Sequence, residues 1–305
     1  MSNSTGEVFL LKTSDRNAGV GILLCQLDLT QYSGKKVALK ANFNSADPFP
    51  ASTHLDTLKN LVEILKEAGV TELTLAERSG MGNTTQVLER MGVTALSEEL
   101  GFKVVVLDDL GKEGWVKIDR DGTHWPKGFY IAKIFLDADK VVQTCCLKTH
   151  RFGGHFTLSL KNSVGLVAKK IPEESYDYMR ELHGSPNQRL MIAEINKFYN
   201  LDFVIMDGVK AFVDGGPERG SLVEPDLMLA SKDRVAIDAV AVAILRSYKT
   251  TNYVMKGRIF ELDQIRRAAE LGVGVKSPSD IKLTPLDDES RDITDKIESI
   301  LKSQG

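Results

Sequence analysis

One stretch constrains this chain most: a strongly amphipathic helical run set between two short apolar runs. "KKVALKAN" (35–42) reads as a buried strand, "THLDTLKNLVEILKEAG" (53–69) as a helix and "ELTLAE" (72–77) as a second strand. Within the helical run Leu55, Leu58, Leu61, Val62 and Leu65 share one face, and Gly69 supplies a stop. "TTQVLERMG" (84–92) then reads as a short helix and "FKVVVLDD" (102–109) as a strand. This strand–helix order requires crossover connections, which give a parallel sheet covered by helices.

The second half continues the theme. Strands are expected at "DKVVQTCCLK" (139–148), "LDFVIMDG" (201–208) and "PDLMLAS" (225–231). Helices are expected within 157–168 and at 186–199, 233–248 and 259–274, with Asp233 as an N-cap. The segment 111–128, with Trp115 and Trp125, reads as a loop or small hairpin, and the polar tail from about 284 as a surface helix. The fold class is therefore α/β, largely parallel sheets flanked by helices. Its length of 305 residues suits two α/β lobes, 1–139 and 140–305, with the site between them.

Composition removes several function classes. A net charge of −3 gives no general reason to bind nucleic acid or a membrane surface. No apolar run approaches membrane-span length, and "MSNSTGEVFLLKTSDRN" lacks the basic start and apolar run of a secretory signal, so cytoplasmic residence is expected. Of the three cysteines, Cys145 and Cys146 are adjacent and Cys25 is distant. No CxxC pair exists, so neither a disulfide framework nor a four-thiolate metal site is expected, and no metal is assigned.

The chemistry concentrates in "KTHRFGGHFTLSLKNSVG" (148–165). No Asp or Glu occurs between Asp139 and Glu173, whereas Lys148, Arg151, Lys161, His150 and His155 all fall there. Lys148 and His150 share a face if the strand runs that far. Gly153 and Gly154 permit a tight turn, and a helix starting near Thr157 would aim free N–H groups at an anion beside Lys161 and Asn162. The competing reading is a solvated basic loop with incidental histidines. Ligands in open α/β sheets collect at strand carboxyl ends. By these strand bounds Lys40, Asn42, Glu77 and Asp207 sit there too.

Other candidates keep two readings each. "ERSGMGNTT" (77–85) is an anion turn or a plain strand–helix connection. "MDGVKAFVDGGPERG" (206–220), with Gly216, is a ligand loop or a simple Gly-Gly-Pro turn. Asp238, inside an apolar helix, faces solvent or needs a buried partner, such as a lysine or histidine of the cationic segment. His183 reads as a loop histidine, and Cys145 and Cys146 as packed thiols.

"VALKANFN", "AERSG", "KTHRFGGHFTLSLKNSVG", "MDGVKAFVDGGPERG" and "SKDRVAIDAV" occur in that order. Together they resemble the family called domain of unknown function 362, over roughly residues 36–275. Members of that family often carry a ferredoxin-like insert and are described as iron–sulfur proteins. This chain has no such insert, so the resemblance implies no cluster here. The first half and the histidine-bearing glycine loop also resemble, in architecture, the nickel-pincer lactate racemases. That resemblance implies Lys161, His150 and His155 as counterparts of their lysine and histidines. The racemase Ser-Gly-Gly-Gly-Lys run is replaced by "SLKN", so no nickel is assigned and the cofactor is left unknown.

Two classes of function follow. One is an enzyme in which Lys148, Arg151, Lys161 and Asn162 bind a small carboxylate or phosphate. His150 or His155 then acts as acid or base, a lysine with a pKa depressed among like charges can serve as nucleophile, and Asp207 or Asp238 orients a histidine or lysine. The other is a ligand or cofactor carrier, or the partner of a separate redox protein, using the same site without turnover. A homo-oligomer fits either.

Overall fold

The computed structural model describes residues 5–153 and 155–305. Among the described residues twelve strands form. In the first half they are β1 (Gly6–Lys12), β2 (Lys36–Lys40), β3 (Glu72–Glu77), β4 (Lys103–Val106), β5 (Trp115–Ile118) and β6 (Phe129–Ala132). In the second they are β7 (Lys140–His150), β8 (His155–Phe156), β9 (Phe203–Gly215), β10 (Gly220–Val223), β11 (Leu227–Ser231) and β12 (Ile281–Pro285).

Ten of them make one sheet in the order β12-β1-β11-β9-β7-β2-β3-β4, with β8 on β7 and β10 on β9. Along that order only β1/β11 and β11/β9 are antiparallel, so five of seven neighbouring pairs are parallel. The α/β class expected from the sequence is what forms. The 139/140 boundary falls at the start of β7, which is bonded to β2 on one side and β9 on the other, so the sheet runs across it.

Period-two alternation sorts the side chains into two layers. Val8, Leu10, Val204, Met206, Leu227 and Leu229 face the helix Arg234–Ser247. The intervening Leu11, Phe203, Ile205, Met228 and Ala230 face the helices Arg16–Leu24 and Leu55–Glu67. The helix 234–247 is apolar on every side because it is covered on every side, by the sheet and by the terminal helix Glu289–Gln304 among others. Asp233 caps it by accepting the N–H groups of Val235 and Ala236. Asp233 also accepts the Val275 N–H, at 2.8 Å.

Several expectations shift. The segment 111–128 contributes only β5, whose antiparallel partner is β6 at 129–132. A second helix, Val93–Leu100, follows Thr84–Arg90 after Gly92, which adopts a left-handed φ of 76°. The run expected as one helix over 259–274 is a short 3₁₀ turn followed by Asp263–Glu270. No helix among the described residues is long and apolar enough to cross a membrane.

Candidate functional site

Parallel strands β2, β3 and β7 end on the same edge of the sheet, and a cavity of about 500 Å³ opens there. Lys40 is the last residue of β2 and Glu77 the last of β3, while Lys148 and His150 close β7. The turn Ser159–Asn162 crosses above them and adds Lys161 and Asn162. Lys40, Asn42, Glu77, Lys148, His150, Lys161 and Asn162 thus come together around one cavity. The basic side chains Lys40, Arg78, Lys148, Lys161, Lys169 and Arg180 line it against the acidic Glu77 and Asp177, a formal excess of four positive charges.

Most of these charges are already committed. Lys40 Nζ meets Glu77 Oε1 at 2.6 Å and Asn162 Oδ1 at 3.2 Å. Glu77 also accepts the N–H groups of Arg78 and Phe43, so both its oxygens are used. Lys148 Nζ donates to the carbonyls of Pro50 and Ala51. Burial pulls the Lys40 and Lys148 ammonium groups below the usual lysine range. Lys169 pairs with Asp108 at 3.2 Å.

Lys161 is different. Among the described residues its Nζ has no hydrogen-bond or ion-pair partner. Burial first, then the charges of Lys148 and Arg78, pull its pKa down to about 8. Arg78 is 4% exposed, donates Nη2 to the Val164 carbonyl at 2.7 Å, and leaves its buried Nε without a partner.

The two cavity histidines are set up oppositely. His150 Nδ1 accepts the Phe152 N–H at 3.2 Å, which leaves the ring proton on Nε2. Burial, followed by Lys161 and Lys148, holds His150 well below the usual histidine range, so it is a neutral donor near pH 7. His183 Nδ1 lies 2.6 Å from the Met179 carbonyl and must donate to it, which leaves Nε2 as the acceptor. His183 sits on the helix Tyr178–Gly184, which Asp177 caps, and it lines the same cavity. His183, read from the sequence as a loop histidine, thus lies on a helix, and Arg78 was not singled out from the run 77–85. Arg78 directly follows a strand-end acid, a pattern too common to single it out.

Other expected site residues lie elsewhere. Asp207 is not at a strand end, because β9 continues to Gly215. It is fully buried in the sheet, where Arg16 Nε and Thr57 Oγ1 each donate to Oδ2 at 2.7 Å. Asp238 is fully buried too, but its partners are backbone rather than lysine or histidine. The N–H groups of Ser159 and Leu160 donate to it at 2.8 and 3.0 Å. The N–H groups expected to face an anion are therefore spent on Asp238, whose pKa burial pushes up to about 8. Arg151 donates to the Gly216 carbonyl and pairs with Glu218. Gly216 has a φ of 69°, and a Cβ there would strike the Thr149 carbonyl, so this glycine is needed for close chain approach.

His155 lines a second cavity of about 1110 Å³, together with Arg151 and Tyr253, and His150 borders both cavities. It stacks on Tyr253 with ring centroids 4.6 Å apart and accepts from Arg189. Burial and Arg189 lower its pKa to about 4. Gly154, expected in the turn, lies outside the described residues. Cys145 and Cys146 are buried free thiols, with pKa values raised by burial. Among the described residues no group of three or more His, Cys, Asp or Glu is placed to hold a metal ion.

Comparison with known proteins adds three findings. The sequence profile of the family described as "Domain of unknown function (DUF362)" matches residues 37–243. A thylakoid-associated protein of Synechocystis sp. is 26% identical over 215 residues, covering 70% of this chain and 64% of that protein. The chain therefore spans a little under two thirds of that relative's length. The lactate racemase apoprotein from Thermoanaerobacterium thermosaccharolyticum aligns at a TM-score of 0.47 and 18% identity, covering 75% of this chain and 55% of that one.

Proposed function

The chain belongs to the family described as domain of unknown function DUF362, and from that premise we propose that it binds a small organic anion in the inner cavity and moves a proton on it. Lys161 carries the reading. A half-buried ammonium with no protein partner among the described residues, in a cavity with four more basic than acidic side chains, calls for a counter-ion. A carboxylate or a phosphate supplies the missing charge.

The histidines extend the reading from binding to chemistry. His150, neutral and protonated at Nε2, donates to an oxygen on which charge develops, as neutral imidazoles do. His183 Nε2 offers a lone pair. Lys161, at about 8, holds a proton at pH 7 yet can release it. In this reading His183 stands where His155 was offered, from the sequence, as the alternative to His150.

Denaturing the purified protein and identifying released small molecules by mass spectrometry tests the binding step. An organic acid or phosphate ester near one per chain is expected. A protein that releases none, and whose thermal midpoint ignores both phosphate and carboxylates, contradicts the proposal. Binding that survives His150→Ala and His183→Ala, with no proton exchange on any bound acid, selects the carrier role instead. Residence in the cytoplasm without nucleic acid belongs to the same proposal. Fractionation with membranes, in line with the name of the thylakoid-associated relative, would count against it.

A further inference from the structure

We propose that the ligand of the inner cavity is an amphiphilic anion. Its charged group is held by Arg78 and Lys161, and its apolar or aromatic body lies across Met81 and Phe152 at the mouth. This deepens the anion-binding reading and rests on it.

Arg78 is the first observation. As a residue it is only 4% exposed, and no carboxylate lies within ion-pair distance of it among the described residues. One nitrogen is occupied by the Val164 carbonyl, and the buried Nε has no acceptor at all. A buried cation with an unused donor is costly unless a counter-ion completes it. Guanidinium geometry matches a planar, two-oxygen group. Lys161, also without a partner, lines the same cavity.

The rim is the second observation and is independent of the charges. Phe152 is 50% exposed and Met81 40% exposed, and both line this cavity. They come from different places, Met81 from the loop after β3 and Phe152 from the turn between β7 and β8. An inorganic ion would use neither. Apolar side chains also lie beside the guanidinium. Val164 and Met179 line the cavity, and Met179 Sδ lies 3.2 Å from Arg78 Nη2. A volume of about 500 Å³ falls in the range of organic-ligand sites, which pair an apolar wall with a few polar anchors. Methionine also adapts its shape to varied apolar partners.

The test is isothermal titration of the full chain with acetate, butyrate, hexanoate, octanoate and phenylacetate. The series is repeated on the double variant Met81→Ser/Phe152→Ser, whose changes sit on exposed side chains. For wild type, affinity should climb by about fourfold per methylene buried, and the climb should flatten in the double variant. Equal affinity for acetate and octanoate overturns the amphiphile and leaves anion binding standing. An equally steep climb in the double variant also overturns it, because the body would then lie elsewhere. If no carboxylate binds at all, the anion reading falls and takes this inference with it.

Discussion

Replacing Asp238 should destabilise the protein by unmaking the turn that carries Lys161. The carboxylate is fully buried and accepts two backbone N–H groups, from Ser159 at 2.8 Å and Leu160 at 3.0 Å. Asp238→Ala strands both donors. At about 1–3 kcal/mol per orphaned buried group the loss is about 2–6 kcal/mol, reduced by relief of the carboxylate's own desolvation. Asp238→Asn keeps the shape and one acceptor but turns an NH₂ toward the other N–H, so about 1–3 kcal/mol is expected. The pH dependence has a definite sign. Burial raises the folded-state pKa to about 8, above the ordinary value of 3.8. The carboxyl therefore takes up a proton on folding, and its contribution is complete below pH 3.8 and lost as pH rises through about 8. Urea unfolding at pH 5 and pH 8.5 measures this. Wild type should exceed Asp238→Asn by more at pH 5 than at pH 8.5. An Asn variant as stable as wild type at pH 5 would refute the reasoning.

Three further outcomes follow from the same geometry. Glu77→Gln should cost about 3–5 kcal/mol in urea unfolding, because it leaves the buried Lys40 ammonium without its counter-charge. Adding Lys40→Met should restore part of the loss, and a Glu77→Gln variant of unchanged stability would mean the pair is not buried as described. Anion affinity should fall about tenfold between pH 7 and pH 9, because a group with pKa about 8 is mostly ammonium at the first and mostly amine at the second. A flat profile across that range, read by titration calorimetry, would put Lys161 nearer the ordinary lysine value. His155→Ala should leave anion affinity within about twofold, since His155 lines the other cavity. A larger loss would mean that the two cavities act together.

Local patterns revealed the elements whose signal is local. The leucine spacing of 55–65 is the buried stripe of the helix Leu55–Glu67, and Asp233 does cap its helix. Lys40, Glu77, Lys148 and His150 could be placed at one sheet edge because β2, β3 and β7 end where their apolar runs end. β1 and β12 escaped notice for the opposite reason. They pair with each other across most of the chain's length, and no local pattern records a partner that distant. Asp207 was misplaced because the first apolar run stops before Asp207 and Gly208, whereas β9 runs on through "VKAFVDG". Arg78 and His183 are functional candidates only in three dimensions. An arginine after a strand and a histidine before a glycine carry no spacing that singles them out. The basic run itself was legible as chemistry, but which of its lysines is free was not. That depends on the carbonyls of Pro50 and Ala51, about a hundred residues away, which occupy Lys148 and leave Lys161 without a partner.

The most direct test of the account is the affinity of wild type and of Lys161→Met for one small carboxylate at pH 7, with both shown to fold by urea unfolding. Loss of a charge-assisted contact of about 1.5–3 kcal/mol predicts a drop of about 10-fold to 150-fold. Equal affinity in the two proteins would contradict the assignment of Lys161 as the ligand's counter-ion.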